Sequence, residues 1–320
     1  MKALQVMAYG GPENLVLNEI PKPSFKPNEV LIQIKAASVN HIDYGKASGK
    51  LKQIFPLELP WIPGDDFSGV VIEKGSDVSA FEIGDEVYGN SIHGGTYAEY
   101  IAVNEEYIAL KPRSLNFEQA ASVPVSAQTA WQAVFTHGNL KKEQTVLIHG
   151  GAGSVGGFAV QFAHSIGANV ITTASRDNFD YLYSLGASKV IDYKNEKFEE
   201  LDTPIDLVLD FVGGDNQIRS LKVLKPNGKL VATNQPIAEE IFEDYGIAGI
   251  LMHMQISSQL LKEIANKIDS NELQIAISEI YPLEDASQAW IDLQGNLSGR
   301  VGSKIEAKKL RRGKAILSIC

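Results

Sequence analysis

Gly151-Ala152-Gly153-Ser154-Val155-Gly156 is the segment whose residue types and spacing most directly specify chemistry. It fits G-x-G-x-x-G, follows the apolar run Thr145-Val146-Leu147-Ile148-His149, and opens a stretch with helical periodicity. Glycines there permit a tight turn and close approach of the backbone to a pyrophosphate. The following helix offers free N–H groups and the positive end of its dipole. The chemistry implied is dinucleotide binding, and the plainer alternative is a glycine turn that only packs a helix on a sheet. The end of the next strand bears on which dinucleotide. An Asp or Glu there accepts from the ribose 2′-hydroxyl of NAD, whereas a 2′-phosphate needs a cation and donors. This strand ends Thr172-Thr173-Ala174-Ser175-Arg176. Ser175 offers a hydroxyl and Arg176 a fork suited to phosphate oxygens, which favours NADPH. The alternative for Arg176 is a surface arginine at a helix start, and Asp177 falls too far into the next helix to reach the ribose.

Other chemistries find less support. His41, His93, His137, His149, His164 and His253 are scattered with no H-x-x-x-H pair. There is no P-loop and no G-x-S-x-G nucleophile elbow. The single cysteine, Cys320, allows no intrachain disulfide and no thiolate-built zinc or iron–sulfur site within one chain. At the chain end it is a poor candidate nucleophile.

Two textures of sequence must position these residues. The first hundred or so residues read as short strands punctuated by Gly and Pro: Val30 to Ala36, Gly69 to Glu73, Gly84 to Gly89 and Tyr97 to Val103. They predict a compact β-barrel or sandwich-like unit. Glu118 to Val134 has the composition of a helix. From Thr145 onward strands and helices alternate, with strands expected at 169–173, 189–193, 206–210 and 229–233. Val155, Phe158, Ala159, Phe162, Ala163 and Ile166 give the intervening helix an amphipathic spacing. A βαβ series of this kind demands a mostly parallel sheet with right-handed crossovers. Beyond about 265 the pattern is mixed: a strand from Leu273 to Tyr281, a helix opening at Pro282-Leu283-Glu284-Asp285, and a last strand from Gly313 to Ile319. Lys308, Lys309, Arg311, Arg312 and Lys314 read as a solvated basic turn.

Composition bounds the possibilities. At 320 residues, with 44% hydrophobic and 21% charged residues, the chain has the profile of a two-domain globular protein. Its 29 Lys plus Arg against 39 Asp plus Glu leave a net charge of −10, a poor match for nucleic acid. No signal-like start and no 18-residue apolar run is evident, so the expected address is the cytoplasm, away from membranes.

The whole chain resembles the zinc-independent quinone oxidoreductase branch of the medium-chain dehydrogenase/reductase superfamily, the zeta-crystallin-like and enone oxidoreductase group. The likeness is carried by Ala37-Ser38-Val39-Asn40-His41-Ile42-Asp43-Tyr44, Pro63-Gly64-Asp65-Asp66-Phe67-Ser68-Gly69-Val70-Val71 and Gly84-Asp85-Glu86-Val87-Tyr88-Gly89. Gly94-Gly95-Thr96-Tyr97-Ala98-Glu99-Tyr100, the glycine fingerprint and Leu185-Gly186-Ala187 complete it. The resemblance implies an α/β fold in which a Rossmann domain, a doubly wound parallel sheet, is inserted into a GroES-like β-barrel catalytic domain. Residues 1–120 and 265–320 would form the catalytic domain and 121–264 the NADP(H)-binding domain, with Gly313 to Ile319 as the closing strand. The loop at 295–312 is longer than usual. Dimers or tetramers are common in the family.

The same resemblance implies site residues. Asn40 and Tyr44 match positions near the nicotinamide, with Tyr44 either a proton donor or a packing aromatic, and Asp43 orders the loop. Ser154, Val155 and Gly156 match pyrophosphate positions; Ser175, Arg176 and Tyr193 match those for the 2′-phosphate or adenosine ribose. Gly214, Thr233 and Asn234 match loops near the ribose and nicotinamide, and Thr129 a position approaching the nicotinamide. Zinc-dependent cousins carry a metal histidine in a Gly-His-Glu stretch where this chain has Gly64-Asp65-Asp66, and cysteines this chain lacks. The implied activity is zinc-independent hydride transfer from NADPH to a small-molecule quinone or an α,β-unsaturated carbonyl, an enone or enal. Alternatives are an alcohol or aldehyde dehydrogenase and a non-catalytic NADPH-binding protein. Many relatives place a tyrosine just after a Ser-Gly in the catalytic domain, whereas Ser48-Gly49 here leads to Lys50-Leu51, a different pocket wall.

Overall fold

A computed structural model describes residues 1–235, 242, 244–297 and 312–319. The chain divides into two compact units, Met1–Val125 with Ile256–Cys320, and Ser126–Gln255. The strands in chain order begin with β1 (Lys2–Val6), β2 (Leu15–Glu19), β3 (Glu29–Val39) and β4 (Asp66–Lys74). β5 (Glu86–Asn90), β6 (Tyr100–Asn104) and β7 (Ile108–Leu110) follow. The second unit holds β8 (Thr145–His149), β9 (Asn169–Ala174), β10 (Lys189–Asp192), β11 (Ile205–Asp210), β12 (Leu224–Ala232) and β13 (Ala248–Leu251). The chain returns with β14 (Ile277–Pro282) and β15 (Lys314–Ser318).

In the first unit β1 and β2 form a ribbon, and a larger sheet runs β14-β15-β3-β4-β5-β7 with β6 also paired to β3. β15 lies antiparallel to β3, with Ile316 opposite Ser38 and Leu317 opposite Ala37. The last strand of the chain is thus a structural neighbour of the segment that carries Asn40. β6 shows why such strands form: Ile101 and Val103 are buried while Tyr100, Ala102 and Asn104 are half-exposed, the period of two expected when one face meets a core. That core gathers Ile32, Phe67, Val87, Tyr97, Trp290 and Leu317.

The second unit is a six-stranded parallel sheet in the order β10-β9-β8-β11-β12-β13. Counted from β8, this is third-second-first-fourth-fifth-sixth, the doubly wound order whose direction reverses between β8 and β11. All five residues of β8 are buried, as a central strand covered on both faces requires.

Several local expectations change. Glu118 to Val134 is not one helix but three pieces, Phe117–Ala121, Pro124–Trp131 and a π-helical turn Gln132–His137. Pro124 lacks the N–H that would continue the first helix, and it disfavours helical geometry in the residue before it. The helix Ser154–Ser165 is not an amphipathic surface helix, because Gly156 to Ala163 are buried on every side. On the apolar face, rings from Trp131 and Phe135 stand 5.2 and 6.2 Å from the Phe162 ring. β6 starts at Tyr100 and β14 at Ile277, later than the apolar patterning implies. Lys308, Lys309, Arg311 and Cys320, with most of the long loop, lie outside the described residues. Lys314 does not join a solvated turn: it is 4% exposed and its ammonium meets Asp66 at 2.6 Å.

Candidate functional site

The carboxyl ends of the parallel strands bring most of the expected cofactor residues to one edge. After His149, Gly150 turns with φ +81°, a left-handed conformation that glycine adopts without Cβ strain. Gly151 N–H donates to Thr173 O at 3.3 Å, and Gly153 N–H to Gly150 O at 3.0 Å. Gly153 caps the helix Ser154–Ser165. The first-turn N–H groups of Ser154, Val155 and Gly156 have no intrahelical acceptors by geometry. A Cβ on Gly156 would collide with the Gly150 oxygen and the Gly151 Cα, so the turn closes tightly only with glycine there.

Ser175 and Arg176 follow β9 directly, and Tyr193 follows β10 next to it, its N–H donating to Ala174 O at 3.3 Å. The Ser175 hydroxyl accepts from Asn178 at 3.0 Å. The exposed Arg176 guanidinium sits 4.8 Å from the Phe179 ring centroid, within cation–π range. Across the switch point, the Asp210 carboxylate accepts from Val212 and Gly213 N–H at 3.0 and 2.9 Å. Gly214 N–H donates to Gln235 at 2.8 Å; Thr233 donates to the Asn234 side chain at 3.1 Å, which donates to Phe211 O. Gly214, Thr233 and Asn234 therefore share one loop pair at the ends of β11 and β12. Thr129 stands elsewhere, buried on the helix Pro124–Trp131.

Asn40 and Tyr44 belong to the first unit. Asn40 precedes the helix His41–Ala47, and its backbone N–H donates to Asp43 at 2.8 Å, half of a capping box. Its side chain donates to Asp66 at 3.1 Å. Tyr44 packs edge-on against Trp290, with ring centroids 5.8 Å apart. Asp66 is wholly buried and accepts from five donors: Ser38 at 2.5 Å, Asn40, Asn90 at 3.0 Å, Val125 N–H at 2.7 Å and Lys314. Such coverage is what a buried carboxylate needs to remain tolerable. Sequence reading singles out Asn40 but not the network that orients it. Lys314 is 248 residues from its partner, and only the pairing of β15 with β3 brings it there.

A second buried pair lies beside it. Lys46 donates to both oxygens of Asp65, at 3.1 and 3.2 Å, with the side chains 10% and 14% exposed. Asp43 accepts from Tyr97 OH at 3.2 Å, and Trp290 donates to the same hydroxyl at 3.3 Å. Burial pushes the Asp43 carboxyl up to about 8, and the nearby Asp65 charge adds to the rise.

Comparison with known proteins fits this geometry. Residues 26–113 match the family described as alcohol dehydrogenase GroES-like domain, and residues 185–299 the family described as zinc-binding dehydrogenase. The solved quinone oxidoreductase from Coxiella burnetii is 37% identical, with a TM-score of 0.88 covering 100% of this chain and 99% of that one. The chain belongs to the quinone oxidoreductase branch of the medium-chain dehydrogenase/reductase superfamily. The Escherichia coli quinone oxidoreductase of this branch, solved in complex with NADPH, has a TM-score of 0.88 at 25% identity, covering 99% of this chain and 100% of that one. A 2-methylene-furan-3-one reductase from Solanum lycopersicum is 39% identical over 242 residues. That match spans 72% of this chain and 61% of the tomato protein, about three fifths of the relative's length.

One family description names zinc. Where zinc-dependent cousins have the histidine of Gly-His-Glu, Asp65 is already engaged by Lys46, and a buried ammonium there would oppose a dication. Among the described residues, no group of three or more His, Cys, Asp or Glu is placed to hold a metal ion. Likewise, no helix of the described residues is long and apolar enough to cross a membrane.

Proposed function

We propose that this protein is a zinc-independent reductase that binds NADPH and passes a hydride to a quinone or to the β-carbon of an enone or enal. The observation that carries the reading is the glycine loop at the reversal point of the doubly wound sheet, with Ser175 and Arg176 at the end of the adjacent strand. Gly151, Gly153, Ser154, Val155 and Gly156 would hold the pyrophosphate. Ser175, Arg176 and Tyr193 would hold the 2′-phosphate and adenosine ribose. Gly214, Thr233, Asn234 and Thr129 would line the path to the nicotinamide. When bound, NADPH supplies a hydride from its nicotinamide ring. The tight turn at Gly156 supports the fit, because a Cβ there would collide with the Gly150 oxygen and the Gly151 Cα and keep the turn from closing.

The protein's own part is orientation and exclusion of water. Asn40, fixed by Asp66, would face the acceptor pocket, and Tyr44, steadied by Trp290, would close its apolar side and donate a hydrogen bond to the developing oxyanion. A quinone or conjugated carbonyl spreads that charge onto its oxygen, so the reaction proceeds without a Lewis acid. The Lys46–Asp65 pair, standing in place of a metal histidine, supports the zinc-free reading and weighs against the alcohol dehydrogenase alternative. We also place the chain in the cytoplasm as a homodimer or homotetramer. Its single cysteine suits a reducing compartment, and among the described residues β13 lies at the sheet edge with one strand partner. The names of both relatives, a quinone oxidoreductase and an enone-type reductase, are consistent with the two acceptor classes.

The test is steady-state oxidation of NADPH and NADH by a simple quinone and an alkenal, with and without a chelator, for the wild type and Arg176→Ala. Turnover unaffected by chelator is expected. The substitution should raise KM for NADPH about tenfold and leave KM for NADH unchanged, in keeping with the loss of a charge-assisted hydrogen bond. Chelator sensitivity would overturn the zinc-free reading, and equal effects on both cofactors would remove Arg176 from the 2′-phosphate. Absence of turnover with both acceptors, alongside NADPH-dependent thermal stabilisation, would favour a non-catalytic binder.

A further inference from the structure

His149 ends β8, is 1% exposed, and has both ring nitrogens at hydroxyl groups from other elements. Nδ1 lies 3.3 Å from Thr173 Oγ1 on β9, and Nε2 lies 3.0 Å from Ser220 Oγ on the helix Asn216–Ser220. The hydrogen bonds of those hydroxyls decide the arrangement of protons. Ser220 donates its own proton to Asn216 O at 2.6 Å, so toward His149 it can only accept. Nε2 therefore carries the hydrogen. In a neutral ring Nδ1 is then an acceptor, and Thr173 donates to it. Thr173 Oγ1 is left free to accept, and Gly150 N–H donates to it at 3.4 Å.

We propose that His149 is a positioning residue for the cofactor, fixed as the neutral Nε2–H tautomer and joining the turn of the glycine loop to the helix that follows the Gly213-Gly214 loop. The chain of donors runs from Gly150 N–H through Thr173 to Nδ1, and from Nε2–H through Ser220 to Asn216 O. Every donor has one acceptor, so the order cannot reverse without leaving the Gly150 N–H unpaired or the Asn216 carbonyl without its hydroxyl. Burial holds the imidazole down at about 4, with Arg219 adding to the depression while Asp210 and Glu199 oppose it. The Phe198 ring packs against the imidazole in a T-shaped pair, with 4.6 Å between centroids. Gly150 opens the pyrophosphate turn, and the Asn216–Ser220 helix begins two residues after Gly214. Both loops on either side of the switch point are thereby set by one side chain.

This inference rests on the NADPH reading, so its test pairs a cofactor measurement with one that needs no cofactor. Nitrogen-15 chemical shifts of His149 in the free protein should report Nε2–H and an unprotonated Nδ1, without titration down to pH 5. An Nδ1–H tautomer, or titration near the ordinary histidine range, would overturn the proposal. NADPH binding is then titrated for the wild type, Thr173→Val, Thr173→Ser and Ser220→Ala. Thr173→Val should weaken NADPH about tenfold, which is about 1.4 kcal/mol, and Thr173→Ser should restore wild-type affinity. Ser220→Ala, which removes only the far end of the chain, should weaken NADPH in the same direction and serves should Thr173→Val fail to fold. Wild-type affinity in both Thr173→Val and Ser220→Ala would overturn the positioning role. No NADPH binding by the wild type, with the nitrogen-15 signature intact, would instead refute the cofactor reading alone.

Discussion

Asp43 holds its proton near neutrality because it is buried beside Asp65, and its fold-stabilising hydrogen bonds from Asn40 N–H and Tyr97 OH do not offset that cost. The folded protein therefore binds a proton on this group between the ordinary aspartate range, about 4, and the raised value of about 8. The unfolded chain does not. The stability linked to this proton is complete below about pH 4 and is lost as pH rises toward 8, at a rate of up to about 1.4 kcal/mol per pH unit. Asp43→Asn keeps an acceptor for both donors and removes the titration. In urea unfolding between pH 5 and 8 its stability should change less with pH than that of the wild type, and parallel slopes would contradict the raised value. At this scale the sequence is a good guide to residues next to a motif and a poor one to their partners. The place of Arg176 after a strand can be read from the sequence, but its contact with Phe179 forms only because the chain turns helically there.

The elements separate what patterning can and cannot reveal. Continuous apolar runs marked β8 and β11, because strands covered on both faces need no alternation. The four residues of β13 carry no such pattern, and the strand exists because β12 offers it an edge to pair with. The helix Ser154–Ser165 was located correctly by its periodicity, but the burial of Gly156 to Ala163 all round it is a tertiary property that the spacing does not carry. Lys314 is the clearest case: in sequence it ends a basic run, and in the fold β15 carries it into the core beside Asp66. Lys314→Met would leave that carboxylate buried without its cation, at a cost of about 3–5 kcal/mol. Denaturant unfolding should show this loss, with Lys314→Met combined with Asp66→Asn recovering part of it. A loss below about 1 kcal/mol would mean that the four neutral donors suffice to hold Asp66.

For the whole molecule, the two ends of the chain build one compact unit and the segment between them builds the other. The βαβ texture made the second legible in outline, whereas only the antiparallel pairing of β15 with β3 explains why the last strand returns to the first. The donor set of the first unit, an ion pair and a neutral-leaning carboxyl rather than thiolates and imidazoles, directs the proposed chemistry to conjugated acceptors. The most direct measurement of that claim uses NADPH deuterated at the transferred position with an α,β-unsaturated aldehyde, and locates the label in the product by NMR. Deuterium on the β-carbon of a saturated aldehyde is the expected result; deuterium on the carbonyl carbon of an allylic alcohol would contradict it.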